Sequence, residues 1–185
     1  MYCAGKNYIA KLLQNRGIPV LDIDVLGHSV IKDKKPEIIA CFGEQVLNLD
    51  GSVNRHKLGS AVFGREEELS ALEGIVHPEI NSLSEQWLAS QSGKICVINA
   101  AVLHKFSVFN QIDRIILVNA PFFVRLLRAK RRDKLSFAVL IRRFSSQKHF
   151  TAQYLAGNAD IYKVENSCCR THANLERQID VILSN

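Results

Sequence analysis

The strongest chemical cue in the sequence lies near its start, in the stretch Cys3–Asp24, CAGKNYIAKLLQNRGIPVLDID. A Gly-Lys pair is followed by apolar residues at helical spacing, then by a glycine, and then by a short apolar run that ends in two aspartates. This pattern predicts a helix over residues 5–16, which Gly17 ends, and a strand over Val20–Asp24.

The segment around Gly5 has the features of a phosphate-binding loop, whose full pattern is GxxxxGK[ST]. In such a loop the backbone N–H groups and the helix N-terminus bind phosphate, and the lysine, here Lys6, reaches the β- and γ-phosphates. Asn7 stands where Ser or Thr normally holds Mg²⁺, and its carbonyl oxygen is a weaker ligand for that ion, directly or through water. A Gly-Lys pair alone equally fits an ordinary helix start.

The first glycine of the loop pattern, and the strand that normally precedes it, would both fall before Met1. Without that central strand, backbone groups in the core would lack hydrogen-bond partners, at a cost of about 1–3 kcal/mol each. We therefore expect the natural start to lie upstream by roughly one short strand.

Two carboxylates, Asp22 and Asp24, close the predicted strand. Strand alternation would place both on one face, and at the carboxyl end of a parallel strand that face points into the ligand crevice. A kinase acting on a hydroxyl needs a carboxylate to orient it and accept its proton. The alternative is that these residues cap the next helix, since Asp is a good N-cap.

The remaining elements alternate between helix and strand. This order predicts a single α/β domain with a mostly parallel sheet covered by helices on both faces. Strands are expected at 95–99, 114–119 and 161–165, a turn at 48–51, and helices at 25–32, 36–42, 55–63, 65–75, from Pro78 to about 90, 121–130, 136–156 and 173–183.

Composition narrows the function classes. The 185 residues carry a net charge of +6, which favours anionic partners, either phosphorylated small molecules or nucleic acid, although a solvated basic face fits as well. No apolar run approaches the ~20 residues of a membrane helix, and no secretory signal begins the chain. The five cysteines lack CxxC spacing, which favours a reducing cytoplasm.

A basic segment supplies candidate phosphate ligands. Arg125, Arg128 and Arg132 are spaced i, i+3 and i+7, so they share one helix face. Such arginines can neutralise a migrating phosphoryl group, contact RNA phosphates, or simply be solvated. The RNA-binding alternative ranks last, because no interleaved aromatics or RNA-binding motif accompany them.

Taken together, several segments resemble the dephospho-CoA kinases. Residues 42–80 are the most specific part, because other P-loop kinases generally lack them. The matching stretches are AGK at 4–6, GIPVLDID at 17–24, FGEQVL at 42–47, DGSVNR at 50–55, IVHPEI at 75–80, Arg128, Arg132-Asp133, Gln147, Ala159-Asp160 and Asn166.

The resemblance implies a three-layer P-loop kinase fold with a helical CoA-binding region at about residues 28–92 and a lid at about 125–150. It implies transfer of the γ-phosphoryl group of ATP, with Mg²⁺, to the ribose 3′-hydroxyl of dephospho-CoA, the last step of coenzyme A synthesis. No membrane partner is expected, and a nucleic-acid partner is disfavoured.

By position, the resemblance also implies roles for individual residues. Asp24, Lys6 and Arg132 would be catalytic, and Asp22, His77 and Pro78 would bind the acceptor. A histidine at a helix start can equally be satisfied by packing, so both readings of His77 stay open. The residues that would hold ATP are Tyr2, Cys3, Ala4, Gly5, Lys6, Asn7 and Arg128.

Several positions depart from the family pattern. Asn7 replaces Ser or Thr, His28 an arginine, Asn99 an aspartate, Lys105 an acidic residue, and Arg125 a residue that is usually polar and uncharged. Most of these changes touch the acceptor side. They leave open a second hypothesis, that the chain is a catalytically silent relative that binds a nucleotide or CoA.

Overall fold

The protein is described here by a computed structural model that covers residues 2–91, 93–133, 135–145, 159–167 and 172–184. It divides into two units, each with its own internal contacts. The terminal unit comprises residues 1–18, 101–105 and 109–185, and the central unit comprises residues 19–100 and 106–108.

Helices and strands alternate as the sequence predicts. In chain order the elements are α1 (Lys6–Asn15), β1 (Val20–Asp22), α2 (Ile23–Asp33), α3 (Lys35–Phe42), α4 (Arg55–Val62), α5 (Glu66–Ser90), β2 (Val97–Asn99), β3 (Arg114–Asn119), α6 (Phe122–Asp133), α7 (Phe137–Ser145), β4 (Asp160–Glu165) and α8 (His172–Ser184). Among the described residues, β1 pairs with β2 and β3 pairs with β4, each in a separate two-stranded sheet, and the parallel direction of both pairings confirms that prediction.

In the terminal unit, β3 and β4 run side by side from the Arg114–Asp160 pair to the Asn119–Glu165 pair. Helix α8 packs on β4. Helices α6 and α7 share a small core of Ala129, Leu140 and Phe144. Tyr2 and Cys3 pack against this core, so the segment before α1 is held by α6 and α7.

In the central unit, β1 pairs with β2 and ends at the Asp22–Asn99 pair. In the chain, helices α2 to α5 lie between β1 and β2. Helix α2 lies close to α5, since a Cβ added at Gly27 would be 3.5 Å from the Ile80 side chain. The buried core of the helical part consists of Ile38, Phe42, Val46, Leu58 and Val62.

Residues 50–55, DGSVNR, form a turn and a helix cap. Gly51 adopts a positive φ of 77°, and its N–H donates to the Asn48 carbonyl at 3.0 Å. Asp50 accepts from the Ser52 N–H and hydroxyl, and these hydrogen bonds lower the pKa of the Asp50 carboxyl. The Asn54 side chain accepts from two N–H groups of α4 and so caps that helix.

The prediction of a strand over Val20–Asp24 is wrong at the C-terminal end of the strand. The strand stops at Asp22, and Ile23 and Asp24 already belong to α2. Asp22 is the N-cap of that helix, and its side chain accepts from the Val25 N–H at 3.1 Å. The cap ends the strand two residues early, so Asp22 and Asp24 do not share a strand face.

Pro78 does not start a helix. The predicted helices on either side of it are a single helix, α5, with Pro78 inside. An internal proline removes one backbone hydrogen bond and costs about 3 kcal/mol or more. Val76 and Ile80 are both buried beside it, and their packing offsets that cost.

The structure describes only the first part of the predicted helix 136–156, which is α7 and ends at Ser145. Its remainder, together with Gln147 and the end of the expected lid, lies outside the described residues.

Candidate functional site

The segment before α1 forms a tight loop. Cys3 has a φ of 54°, unusual for a residue with a side chain, and Gly5 has a φ of 104° as the N-cap of α1. The Gly5 carbonyl accepts from the N–H groups of Tyr8 and Ile9. The loop therefore leads directly into a helix N-terminus, the end that carries positive potential and favours anions.

The backbone carbonyl of Ala4 is held from two directions. The Asn166 side-chain Nδ2 donates to it at 2.9 Å, and Arg128 Nη1 donates at 3.2 Å. Arg128 Nη2 also donates to Asn166 Oδ1, with a longer separation of 3.4 Å. A Cβ on Gly5 would lie 2.1 Å from Asn166 Nδ2, so this close contact and the positive φ together require glycine.

Tyr2 is fixed by α6 and α7. Its hydroxyl donates to the Asp133 carboxylate, and its ring meets the Phe144 ring edge-to-face at 5.4 Å. The Arg132 guanidinium lies 5.0 Å from the centre of the Tyr2 ring and also donates to Asp133 through Nε at 2.8 Å. This hydrogen bond to Asp133 raises the pKa of Arg132, so its positive charge is permanent at any physiological pH.

Three arginines of α6 lie near the Cys3 thiol. Burial raises the pKa of Cys3, and the charges of Arg132, Arg128 and Arg125 act against that rise. Arg125 stacks on the Phe144 ring at 5.0 Å, and burial lowers its pKa. The loop thus lies in a strongly positive environment that suits polyphosphate.

The central unit brings Asp22 and Asn99 together. Asn99 is 6% exposed, and its Nδ2 donates to Asp22 Oδ2 at 2.6 Å. The other Asp22 oxygen accepts from the Val25 N–H. Asp22 therefore joins the ends of β1 and β2 to the start of α2.

Asp24 is exposed in the first turn of α2, and His28 follows one turn later on the same helix side. The pKa of His28 is lowered, chiefly by desolvation and then by the charge of Arg55, which outweigh the opposite effects of Asp24 and Asp22. His28 is therefore mostly neutral at pH 7, where an arginine would be charged.

His77 and Pro78 lie in the middle of α5. The His77 ring contacts the Phe106 ring at a centroid distance of 5.0 Å. The adjacent Ser107 N–H donates to the Asn81 side chain of the same helix at 3.1 Å. The contact with Phe106 supports the reading in which packing satisfies His77, and its substrate-binding role stays a prediction.

The sequence assigned no role to two residues that the structure places at the loop, Asn166 and Asp133. Asn166 directly follows β4, and a polar residue at the carboxyl end of a parallel strand is a usable signal. Its contact with Ala4 spans 162 residues, which a local pattern does not reveal.

Asn7 occupies the second position of α1 and is exposed. Its amide oxygen is a hard ligand of the kind that Mg²⁺ accepts, alongside phosphate oxygens and water. Within the described ranges, no group of three His, Cys, Asp or Glu residues could hold a metal ion by itself. In the same part of the chain, every helix is too short or too polar to span a lipid bilayer.

Comparison with known proteins is consistent across sequence and structure. The family model described as dephospho-CoA kinase matches residues 2–167. A dephospho-CoA kinase of Treponema pallidum is 32% identical, over 98% of this chain and 90% of the relative. One of Shouchella clausii is also 32% identical, over 95% and 90% of the two chains.

Two solved structures share the fold. A crystal structure from Thermus thermophilus superposes with a TM-score of 0.82 at 28% identity, covering 99% of this chain and 92% of the other. The dephospho-CoA kinase from Campylobacter jejuni superposes with a TM-score of 0.67 at 20% identity, covering 97% and 90%.

The resemblance predicted from the residues is confirmed, as is the α/β P-loop kinase fold. The match covers the loop at residues 2–7, both aspartates and the arginines of α6. This chain belongs to the dephospho-CoA kinase family.

Proposed function

We propose that this chain transfers the γ-phosphoryl group of ATP to the ribose 3′-hydroxyl of dephospho-CoA, giving coenzyme A and ADP. Family membership makes the chain a phosphotransferase with an alcohol group as acceptor. The observation that carries the proposal is the Tyr2–Gly5 loop, which enters the N-terminus of α1 among the arginines of α6.

On the ATP side, the loop and Lys6 hold the β- and γ-phosphates. Lys6 is the first residue of α1, so its charge adds to the positive helix end. Arg128 fixes the loop through the Ala4 carbonyl. Arg132, held by Asp133 and the Tyr2 ring, supplies positive charge as negative charge develops on the migrating group.

Mg²⁺ is the metal that this chemistry calls for, and Asn7 would contribute one oxygen ligand to it. When bound, the ion neutralises charge on the phosphates. Because an amide oxygen carries no formal charge, most of the binding energy would come from the phosphates.

On the acceptor side, Asp24 orients the ribose hydroxyl and accepts its proton. Asp22 has both carboxylate oxygens engaged, by Asn99 and by the Val25 N–H, so we assign it a positioning role. Asp24 is exposed one residue into α2, at the carboxyl end of β1, where ligands of parallel sheets bind.

The roles of the remaining regions are those that membership of the family implies. The helices of residues 28–92, with His77 and Pro78, would bind the CoA part, and residues 125–150 would act as the lid. The chain would work as one P-loop kinase domain in the cytoplasm, where ATP and dephospho-CoA are its partners.

The test is product formation by the purified protein with ATP, Mg²⁺ and dephospho-CoA. We expect ADP and coenzyme A in equal amounts, with the new phosphate at the 3′ position by ³¹P NMR. An acceptor that lacks the 3′-hydroxyl should give neither product. ATP binding by calorimetry without any coenzyme A formed would instead establish the silent relative.

A further inference from the structure

We propose that Asn166 is a positioning residue for the phosphate loop: together with Arg128 it clamps the Ala4 carbonyl and so holds the loop in its ATP-binding conformation. The inference rests on the proposed function for its effect on ATP, but the clamp itself can be tested without nucleotide.

The clamp is anchored in the sheet of the terminal unit. Asn166 follows the last residue of β4, and its N–H donates to the Asn119 carbonyl, at the end of β3, at 2.7 Å. Its side chain is therefore presented from a fixed backbone. From there, Nδ2 reaches the Ala4 carbonyl at 2.9 Å.

The clamp uses both ends of the Asn166 amide. Nδ2 donates to Ala4, while Oδ1 accepts from Arg128, which also donates to Ala4. An aspartate at 166 would keep the acceptor and lose the donor, because an ionised carboxylate cannot donate. An asparagine is therefore the side chain that serves both partners at this length.

The same contact leaves no room for a side chain at Gly5. A Cβ there would lie 2.1 Å from Asn166 Nδ2, closer than any real contact allows. Ala4 itself is fully buried. The loop is thus packed directly against the Asn166 amide, and loss of that amide removes one of the two side-chain hydrogen bonds to the Ala4 carbonyl.

Arg128 is also part of the clamp. Its guanidinium contacts the loop backbone and Asn166, so much of its effect on ATP should pass through loop position. Substitutions of Asn166 and Arg128 should then be less than additive, since each disables the same clamp.

Cys3 provides a direct readout of loop position. It precedes Ala4 and is partly buried, and burial raises the pKa of its thiol, so alkylation depends on opening of the loop. Trypsin cleaves after Lys6, so Cys3 and the next cysteine, Cys41, fall in different tryptic peptides. The alkylation rate of Cys3 by iodoacetamide can therefore be followed by mass spectrometry, without nucleotide.

The variants are Asn166→Ala, Asn166→Asp and Arg128→Ala, with Gln178→Ala as the matched control. Gln178 accepts from the Glu165 N–H at 3.1 Å, one residue before Asn166, and no described hydrogen bond joins its side chain to the loop. We expect Asn166→Ala and Asn166→Asp to speed Cys3 alkylation about 5–10-fold. Gln178→Ala should lower the melting temperature and leave the Cys3 rate unchanged.

In kinetics, Asn166→Ala should raise the KM for ATP about tenfold with little change in the KM for dephospho-CoA. A Cys3 rate that is equal in Asn166→Ala and Gln178→Ala would overturn the clamp, even if ATP binding weakens, because Asn166 would then act on ATP directly. If Cys3 alkylation accelerates but the wild-type protein makes no coenzyme A, the clamp stands and the proposed function fails.

Discussion

The Asn99 amide donates a 2.6 Å hydrogen bond to the Asp22 carboxylate, and these two residues are also register partners at the ends of β2 and β1. Asp22 is at the same time the N-cap of α2. The Asp22 carboxylate therefore connects β1, β2 and the start of α2. Asp24, two residues further on, is exposed in the first turn of α2.

This relationship predicts strong energetic coupling between Asn99 and Asp22. Truncating either one removes the hydrogen bond between the two side chains, so the double variant should lose less stability than the two single variants added. In a cycle of Asn99→Ala and Asp22→Ala, urea unfolding should give a coupling energy of about 0.5–3 kcal/mol. Asn48→Ala, which shares no partner with Asp22, serves as the additive control, and additivity in both pairs would contradict the prediction.

Lys6 should be essential for transfer but not for folding. Lys6→Ala removes the charge at the start of α1 without touching the apolar face of that helix, which consists of Ile9, Leu12 and Leu13. We expect turnover to become undetectable and the melting temperature to change little. Lys11→Ala, an exposed lysine of the same helix, should keep near-normal turnover, and equal activity of the two variants would remove the phosphate-loop assignment.

Arg132 should act mainly in the transition state. Arg132→Ala is expected to lower kcat by about 10²–10³-fold, with a much smaller effect on the KM for dephospho-CoA. Arg131→Ala, an exposed neighbour, is the matched control. A pure rise in the acceptor KM with unchanged kcat would move Arg132 to the acceptor side.

His28 should make acceptor binding depend on pH. The folded-state pKa of His28 lies below its ordinary value of 6.5, so the residue gains charge only as the pH falls below that value. The KM for anionic dephospho-CoA should therefore fall toward acidic pH. The same shift means that folding loses stability as the pH falls from 6.5 toward the folded-state pKa.

The matched variant is His28→Arg, which is charged at every pH. It should lower the acceptor KM by up to about fivefold at pH 8, and this advantage should narrow between pH 8 and pH 5, because His28 gains charge as the pH falls. His56→Arg, an exposed histidine of α4, should not change this profile. A constant ratio of KM values between wild type and His28→Arg across that range would show that His28 does not face the acceptor.

Local patterns were enough for most of the fold. The apolar spacing around Leu12 and the stop at Gly17 predicted α1 correctly, because both signals are local. The end of β1 was missed because Asp22 serves two elements, and capping took precedence over strand alternation. Pro78 was misread because packing on both sides of it, which only tertiary structure reveals, sustains a helix that a local rule would break.

The site was predicted in its parts and not in its connections. Gly5, Lys6 and the arginines of α6 carry recognisable chemistry in the sequence. The Asn166–Ala4 contact joins residues 162 positions apart, and the Asn99–Asp22 contact residues 77 apart. Such contacts are fixed by the parallel crossovers, which bring the ends of distant strands together.

The turnover of Asp24→Asn tests whether Asp24 is the catalytic base. This change keeps the size of the side chain and one acceptor oxygen, but it removes the ability to take the proton of the ribose hydroxyl. Turnover of dephospho-CoA should fall by about 10²–10⁴-fold, with ATP affinity and melting temperature unchanged. Asp22→Asn can still cap α2 through its remaining oxygen but loses the second acceptor, so it should lower the melting temperature and reduce turnover much less than Asp24→Asn. Near-normal turnover in Asp24→Asn would contradict the assignment of Asp24 as the base.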